Sequence, residues 1–527
     1  MSAFSGYDRA LRRGGLDRRG FGKLTAMLGA GAAIGAMLPG MARAQGEPKK
    51  GGTVAIGATG GATTDTLNPL LATASIHQLT SFMWGNCLVE YGTDGSAVPE
   101  LAESWEPSPD AKTWRFNLRK GVTFHNGKEL DAEDVIWTLN QSRGEDSQSG
   151  AAGIMTQVKD LRADGKHVVV VELEEGNADL PYLMTDYHLV IMQKDSDPAS
   201  GIGTGGYKIT EFDPGVRIFG ERNENYFKTG RANLDSVEIV GIADPAARTA
   251  ALQTGQIQIM ERVDPKTVDL LSKMPGVTIH RAAGGGHYSM VMRCDTAPFD
   301  NNDFRLGLKY AANREDILAK ILRGLGRVGN DQPIPVTDPF FATDLPQRTY
   351  DPDKAKFHMK KAGYGGEKIP FSTSDAPFAG AVDAAVLYQQ HAAAAGINID
   401  VIREPADGYW NDVWMKKPFC FTFWGGRPTA DMMMSIAYHS KAAWNESYWF
   451  RPEFDKLLVQ ARAELDRPKR AQMYAELQRM INEDGGELIP MFNDFVDATT
   501  AGVQNFELTP QLGLCGMRAP ERVWLDG

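Results

Sequence analysis

Short alternating runs of apolar and polar residues and stretches with an apolar residue every three or four positions succeed one another along this chain from residue 51 almost to its end. The first period is that of a half-buried strand, the second that of an amphipathic helix. Thr53, Val54, Ala55 and Ile56 predict an opening strand, and a Gly- and Thr-rich loop follows over 57–66. Leu79, Phe82, Met83 and Leu88 recur near helical spacing and predict a helix over 76–91. Residues 114–119 alternate like a strand, and Asn126-Gly127 marks a turn. Asp131 is a natural N-cap for a helix that buries Val135, Ile136 and Leu139. Asp351, Pro352 and Gly363 punctuate another helix as cap, first-turn residue and terminator. Further on, Phe454, Leu457, Leu458 and Ala461 form one apolar stripe. Asp466 and Pro468 interrupt it, and Met473, Leu477 and Met480 resume it. Strands and helices interleaved in this way predict an α/β architecture.

One predicted strand has an informative end. Phe419, Phe421 and Phe423 alternate with smaller residues, as on a strand packed on one face, and the run stops at Trp424. Gly425 and Gly426 then leave bare backbone, and Arg427 adds a fixed cationic fork beside an aromatic face. Such an end serves either as a cleft wall or as a plain strand and turn. His287 and Tyr288 follow Gly284, Gly285 and Gly286, which reads equally as a cleft edge or as a glycine hinge.

The 527 residues exceed one ordinary core and predict two or three domains. A formal net charge of -11 argues against a nucleic-acid partner, because neutralising phosphates needs a basic face. The N-terminus differs from the rest. Arg9, Arg12, Arg13, Arg18, Arg19 and Lys23 precede an apolar, small-residue run over 24–38, and Ala42-Arg43-Ala44 presents a peptidase site. Residues 17–23, with Arg18-Arg19 and Phe21, resemble a twin-arginine (Tat) export motif, with Gly22 where Leu is common. The expectation is a signal peptide over 1–44 and a periplasmic mature protein, with an ordinary secretory signal or a retained anchor as alternatives. Cys87, Cys294, Cys420 and Cys515 are too widely spaced for a CxxC motif. They allow two disulfides or four free buried thiols.

Catalytic signatures are missing from the sequence. It contains no P-loop, HExxH or GxSxG, and its nine histidines show no metal-ligand spacing. Gly201, Gly203 and Gly206 match a dinucleotide fingerprint, but Tyr207-Lys208-Ile209-Thr210 then reads as a strand. That removes the helix N-terminus a pyrophosphate needs. No catalytic residue, metal or cofactor is expected.

Residues 99–139 resemble the signature region of the bacterial extracellular solute-binding proteins of the peptide/nickel class. The match runs through Leu101-Ala102-Glu103-Ser104-Trp105, the Trp114 strand, Gly121-Val122-Thr123-Phe124-His125-Asn126-Gly127 and the helix start at Asp131. Gly203 to Tyr207, Asn223 to Phe227, the stretch 248–259, Pro298-Phe299 with 304–317, Tyr350-Asp351-Pro352 and the stretch 453–481 match later segments of the family pattern. The resemblance spans essentially the whole mature chain. It implies a two-lobed periplasmic-binding-protein-like fold with an extra domain inserted in the first lobe. Residues 50–92, 202–282 and 498–527 would form lobe I, 93–201 the insert and 283–497 lobe II. It implies a monomeric receptor of an ABC importer that closes on a peptide or peptide-like solute and hands it to a membrane permease. A metal chelate, an oligosaccharide or an opine-like anion is the alternative ligand, and a periplasmic enzyme or chaperone the alternative class.

The expected binding residues form three groups. Thr63 and Thr64 lie in the glycine loop; Trp424, Gly425, Gly426 and Arg427 lie at the strand end, with Asp431 beyond; Trp84, Tyr288 and Trp410 would supply an aromatic lining. In peptide-binding members of the family an Asp three residues after this Trp pairs with the ligand's α-amino group. Arg427 stands there in this chain, and Asp431 is the nearest Asp. The resemblance therefore implies a ligand that presents an anionic or strongly accepting group to Arg427.

Overall fold

The computed structural model describes residues 47–526 other than 145, 379 and 407. The export signal expected over 1–44 lies outside the described residues. No described helix is long and apolar enough to cross a membrane.

The expected opening strand forms as Thr53–Ala58. It joins a large mixed sheet whose strands lie in the order Ile399–Arg403, Ile369–Thr373, Phe419–Trp424, Val277–Met292, Glu487–Thr500, Ile259–Met260, Thr53–Ala58, Ser236–Gly241, Arg217–Arg222 and Tyr207–Asp213. Two of these strands are far longer than the rest. Val277–Met292 has 16 residues and Glu487–Thr500 has 14, and they pair antiparallel along most of their length. One end of the pair meets the strands of the first half of the chain, and the other end meets those of the second half. The fold is therefore two-lobed, with these strands as the crossing. Their register slips between Ala283 and His287, where Gly284, Gly285 and Gly286 occupy one side. A side chain at Gly284 would put its Cβ 2.6 Å from the Asn493 carbonyl, so the close pairing here requires a bare backbone.

Each lobe packs helices on its share of the sheet. In the first, Val54, Ile56, Leu79, Phe82, Val237 and Ile239 enclose a core that Leu514 and Val523 of the C-terminal segment complete. The C-terminal segment is also tied down electrostatically. Arg518 donates to both oxygens of Glu100 (2.7 and 2.8 Å), Arg522 reaches Glu90 at 2.6 Å, and Lys228 reaches Glu90 and Glu100 at 2.6 Å each. In the second lobe, Phe371 stacks on Phe419, Tyr388 meets both edge-on and Phe421 packs alongside, and a neighbouring cluster gathers Trp424, Met434, Trp449, Phe454 and Leu477. A separate four-stranded antiparallel sheet, in the order Ala102–Pro107, Thr113–Leu118, Val168–Leu173 and Val158–Ala163, has its own core of Phe116, Val135, Val169 and Leu180.

Most of the punctuation works as its chemistry dictates. Asp131 accepts from Glu133 N and Asp134 N at the start of Ala132–Gln141, and Asp351 accepts from Lys354 N ahead of Pro352–Lys361. The C-terminal stripe is two helices, Pro452–Ala463 and Arg467–Asp484, divided at Asp466. Two expectations are corrected. The helix predicted over 76–91 ends at Trp84, and Val89–Tyr91 is a strand. Gly85 caps the helix in extended backbone, and a Cβ there would be 2.1 Å from Val190, so the chain leaves the helix at a position that takes no side chain. The strand Phe419–Trp424 is not one-faced. Cys420 and Thr422 are as buried as Phe419 and Phe421, because strands flank it on both sides and both of its faces are covered. Phe423 alone emerges.

Candidate functional site

The end of strand Phe419–Trp424 is fixed from behind by a buried carboxylate. Glu446 accepts from Trp424 Nε1 at 2.8 Å and Thr422 Oγ1 at 3.0 Å, and Trp414 Nε1 donates to its other oxygen. Glu487 lies close by and accepts from Ser289 Oγ at 3.0 Å. Burial pushes both carboxyls above the ordinary value of 4.5, and the charge of Glu446 pushes Glu487 further. Past Trp424 the chain leaves the sheet over two glycines. A Cβ on Gly426 would lie 3.2 Å from the backbone of Gly285, so the glycines at the strand end meet the glycines at the crossing.

Arg427 follows. Its Nη1 donates to Gly425 O at 3.0 Å and Gly426 O at 3.2 Å, and its guanidinium stands 5.7 Å from the centre of the Trp424 ring. It has no ion-pair partner among the described residues. Burial lowers its pKa from the ordinary 12.5, with Tyr187 and Asp186 acting in the opposite direction.

Arg427 borders a cavity of about 330 Å³. Gln78 and Phe82 of helix Ser75–Trp84 line one side, with Tyr91, residues 185–188, and Thr509, Gln511 and Arg518 of the C-terminal segment. Gly426, Arg427, Pro428, Trp444, and Met432 and Ile436 of helix Ala430–Ala437 line the other. The cavity thus lies between parts of the two lobes. Asp186 is the one carboxylate in this lining among the described residues, and one of its two oxygens is engaged. Its Oδ1 accepts from His188 N at 2.9 Å and faces His188 Nδ1 at 2.7 Å, while His188 Nε2 lies 2.8 Å from Ala72 O. Arg518 is held by Glu100 and rests 4.1 Å from the centre of the Phe82 ring. Gln78 Oε1 is buried without a hydrogen-bond partner among the described residues.

The structure brings Gly426 and Arg427 to this cavity, with Trp424 and Gly425 directly behind them, and separates the other expected residues from it. Thr63 and Thr64 are exposed, and Thr64 borders a different groove with Asp65, Thr73 and His77. Trp84 is 1% exposed in the first-lobe core, packed so closely that a Cβ at Gly203 would lie 2.5 Å from its ring. Tyr288 stacks on Phe378 with ring centres 3.8 Å apart, so its face is taken by the second-lobe core. Asp431 is in the first turn of its helix, where both its oxygens accept from Arg462 Nε at 3.0 Å. Trp410 is 40% exposed and touches the cavity only through other rings. It meets Trp414 edge-on at 5.8 Å, Trp414 meets Trp444 at 6.2 Å, and Trp444 meets Trp424 at 6.1 Å. The sequence reading missed Gln78, Phe82, Tyr187, Trp444 and Gln511. The one usable signal was the polar and aromatic Asp186-Tyr187-His188, set between apolar runs. Among the described residues no group of three or more His, Cys, Asp or Glu is placed to hold a metal ion.

A second contact joins the stretch after the four-stranded sheet to the helices Pro452–Ala463 and Arg467–Asp484. Ala178 N donates to Arg462 O at 2.9 Å, and Arg470 pairs with Asp179 at 2.6 Å with both side chains buried. All four cysteines are free.

Comparison with known proteins agrees with this architecture. Residues 96–446 match the family model described as bacterial extracellular solute-binding proteins, family 5, middle. The chain is 25% identical over 443 residues to di/tripeptide-binding protein 1 of Pseudomonas aeruginosa, covering 76% of this chain and 81% of that protein. The periplasmic binding protein DppA from Helicobacter pylori, solved with the peptide STSA, superposes with a TM-score of 0.73 at 22% identity, over 91% of this chain and 99% of its own. HbpA2 from Haemophilus parasuis superposes with a TM-score of 0.80 at 19% identity, over 90% and 100% respectively. With two thirds of its length matched by the family model and the two-lobed fold shared with solved members, the chain belongs to the bacterial extracellular solute-binding proteins of family 5.

Proposed function

We propose that this chain is the periplasmic receptor of an ABC importer, a monomer that captures a peptide or peptide-like solute by lobe closure and delivers it to the membrane permease. The observation that carries this reading is the cavity at Arg427, lined from both sides of the two-strand crossing. Its volume of about 330 Å³ lies at the small end of ligand sites. Gly425, Gly426 and Arg427 are the proposed ligand-contacting residues, with Trp424 as their support. The proposed division takes 50–92, 202–282 and 498–527 as lobe I, 93–201 as an inserted domain and 283–497 as lobe II. The separate core around the four-stranded sheet supports the insert. Residues 1–44 are proposed as a Tat signal that takes the chain to the periplasm. A receptor needs no catalytic group, and the reading assigns none.

A non-peptide solute in the same cavity is the second reading. It is favoured by Asp431, whose carboxylate is locked by Arg462 and leaves a free amino terminus no partner at the strand end. Native mass spectrometry of the protein recovered from a periplasmic fraction tests all of this together. The expected species is a chain that begins after Ala44 and carries one small molecule, recovered chemically unchanged when released. An empty protein, or a released compound that has been chemically converted, would overturn the receptor reading; an uncleaved N-terminus would overturn the export signal.

A further inference from the structure

The lining of the cavity divides by chemistry. Two charged groups of opposite sign keep capacity for a solute. Arg427 spends its hydrogen bonds on the carbonyls of Gly425 and Gly426, and Asp186 engages His188 through Oδ1 alone. Together they serve solute charges of either sign, so they hold a solute without choosing its side group. The apolar part of the wall does the choosing. Phe82 and Leu512 come from one side, and Met432, Ile436 and Trp444 from the other.

The rings in this wall differ in what already covers them. The Arg518 guanidinium stands 4.1 Å from the centre of the Phe82 ring, and the His188 ring centre lies 4.2 Å from that of Tyr187. Trp444 has no such cover. It is 45% exposed, and its ring neighbours Trp414 and Trp424 meet it at 64° and 57°, so neither lies flat on the indole. What stands behind it is fixed. Glu446, fully buried, accepts from Trp424 Nε1 at 2.8 Å and from Trp414 Nε1. Keeping a carboxyl out of water to hold two indoles costs stability, and a ring that met only bulk solvent would need no such backing. A pre-organised indole with an open face favours a second ring. The partner covers apolar area and also gains the contact of an aromatic pair, which a branched aliphatic group lacks. The Met432 thioether beside it suits a ring edge as well.

We propose that Trp444 is the specificity-determining residue of this cavity and selects a solute with an aromatic side group, whose ring lies on the open face of the indole while the charged groups of the solute stay at Arg427 and Asp186. The proposal rests on the receptor reading above and narrows the solute class of that site.

Three dipeptide pools test it, offered together at equal concentration to the purified mature chain and read by native mass spectrometry. Each pool joins glycine, in both orders, to one other residue: phenylalanine, leucine or alanine. The phenylalanine pool is expected to be retained about two- to tenfold over the leucine pool, the factor by which an aromatic pair exceeds plain area burial. The leucine pool is expected about tenfold above the alanine pool, from its larger apolar side chain. Trp444→Ala is expected to remove the preference for phenylalanine over leucine, and Trp444→Phe to keep part of it. Trp410→Ala, outside the cavity, is expected to leave the ranking unchanged. Equal retention of the phenylalanine and leucine pools by the unmodified chain, or preference for leucine or alanine, overturns the proposal whatever the variants do, and leaves the receptor reading standing. A phenylalanine preference that persists in Trp444→Ala overturns the assignment to Trp444. Retention of no pool by the unmodified chain overturns the peptide reading of the cavity, and the proposal with it.

Discussion

At the scale of single residues, the strand end is governed by charges placed behind it as much as by those facing the cavity. Glu446 fixes two tryptophans and a threonine and shares its low-dielectric surroundings with Glu487. A carboxyl raised in the folded state keeps a proton that the unfolded chain releases above the ordinary value of 4.5. The folded state then binds more protons than the unfolded one, so this pair makes stability fall as pH climbs from 4.5 toward the raised values, after which its contribution levels off. Each retained proton sets a slope of about 1.4 kcal/mol per pH unit in that window. Urea unfolding of Glu487→Gln between about pH 5 and pH 7 is expected to show a shallower loss of stability with pH than the unmodified chain. Parallel pH profiles would count against the pair. Nothing in the local sequence announced it, because Glu446 and Glu487 are 41 positions apart and are brought together only by tertiary packing. The place of Arg427 at a strand end was legible because an aromatic and two glycines precede it in the chain itself. Trp84 misled because an aromatic at helical spacing looks the same in a core and in a cleft until its neighbours are placed.

At the scale of elements, the two long strands carry the fold from one lobe to the other. Three glycines sit at their register slip, where a Cβ on Gly284 would meet the Asn493 carbonyl and one on Gly286 the Asn493 side chain. Gly284→Ala would force a Cβ to 2.6 Å from a backbone atom, and the strands would have to part. A loss of about 1–3 kcal/mol in chemical unfolding is expected. Gly425→Ala is the contrast, since its nearest neighbour is a guanidinium nitrogen at 3.5 Å; a change within about 0.5 kcal/mol is expected. Equal effects of the two changes would mean that the slip is slack rather than tight. Caps and breakers such as Asp131, Asp351 and Asp466 could be read from the chain because they act on their own backbone within a few residues. The early end of the helix at Trp84 was marked in the same local way, by Gly85, a poor helix former, and the predicted helix over 76–91 ran past that signal.

At the scale of the whole molecule, a second contact, between the stretch 178–179 and the helices Pro452–Ala463 and Arg467–Asp484, joins the two halves of the fold away from the crossing strands. The buried Asp179–Arg470 pair and the Ala178–Arg462 hydrogen bond span the gap there. Breaking a buried pair from one side typically costs about 3–5 kcal/mol, because the other charge is left stranded. In Asp179→Ala, Arg470 recovers its solvation most readily when the gap opens. Small-angle scattering should therefore show a larger radius of gyration for the variant without added solute, and an unchanged one would assign the pair to local packing alone. The two-lobed plan was foreseeable from the family-like order of motifs. This bridge was not, since Asp179 and Arg470 lie in segments whose local sequence gives no hint that they meet. The four tryptophans that lead from the surface to the cavity carry a consequence of a different kind. Trp410, Trp414, Trp444 and Trp424 follow one another with ring centres 5.8, 6.2 and 6.1 Å apart, and Trp444 forms part of the cavity wall. Filling of the cavity is expected to change the tryptophan emission of the unlabelled protein, and an unchanged spectrum at saturation would count against a solute beside Trp444.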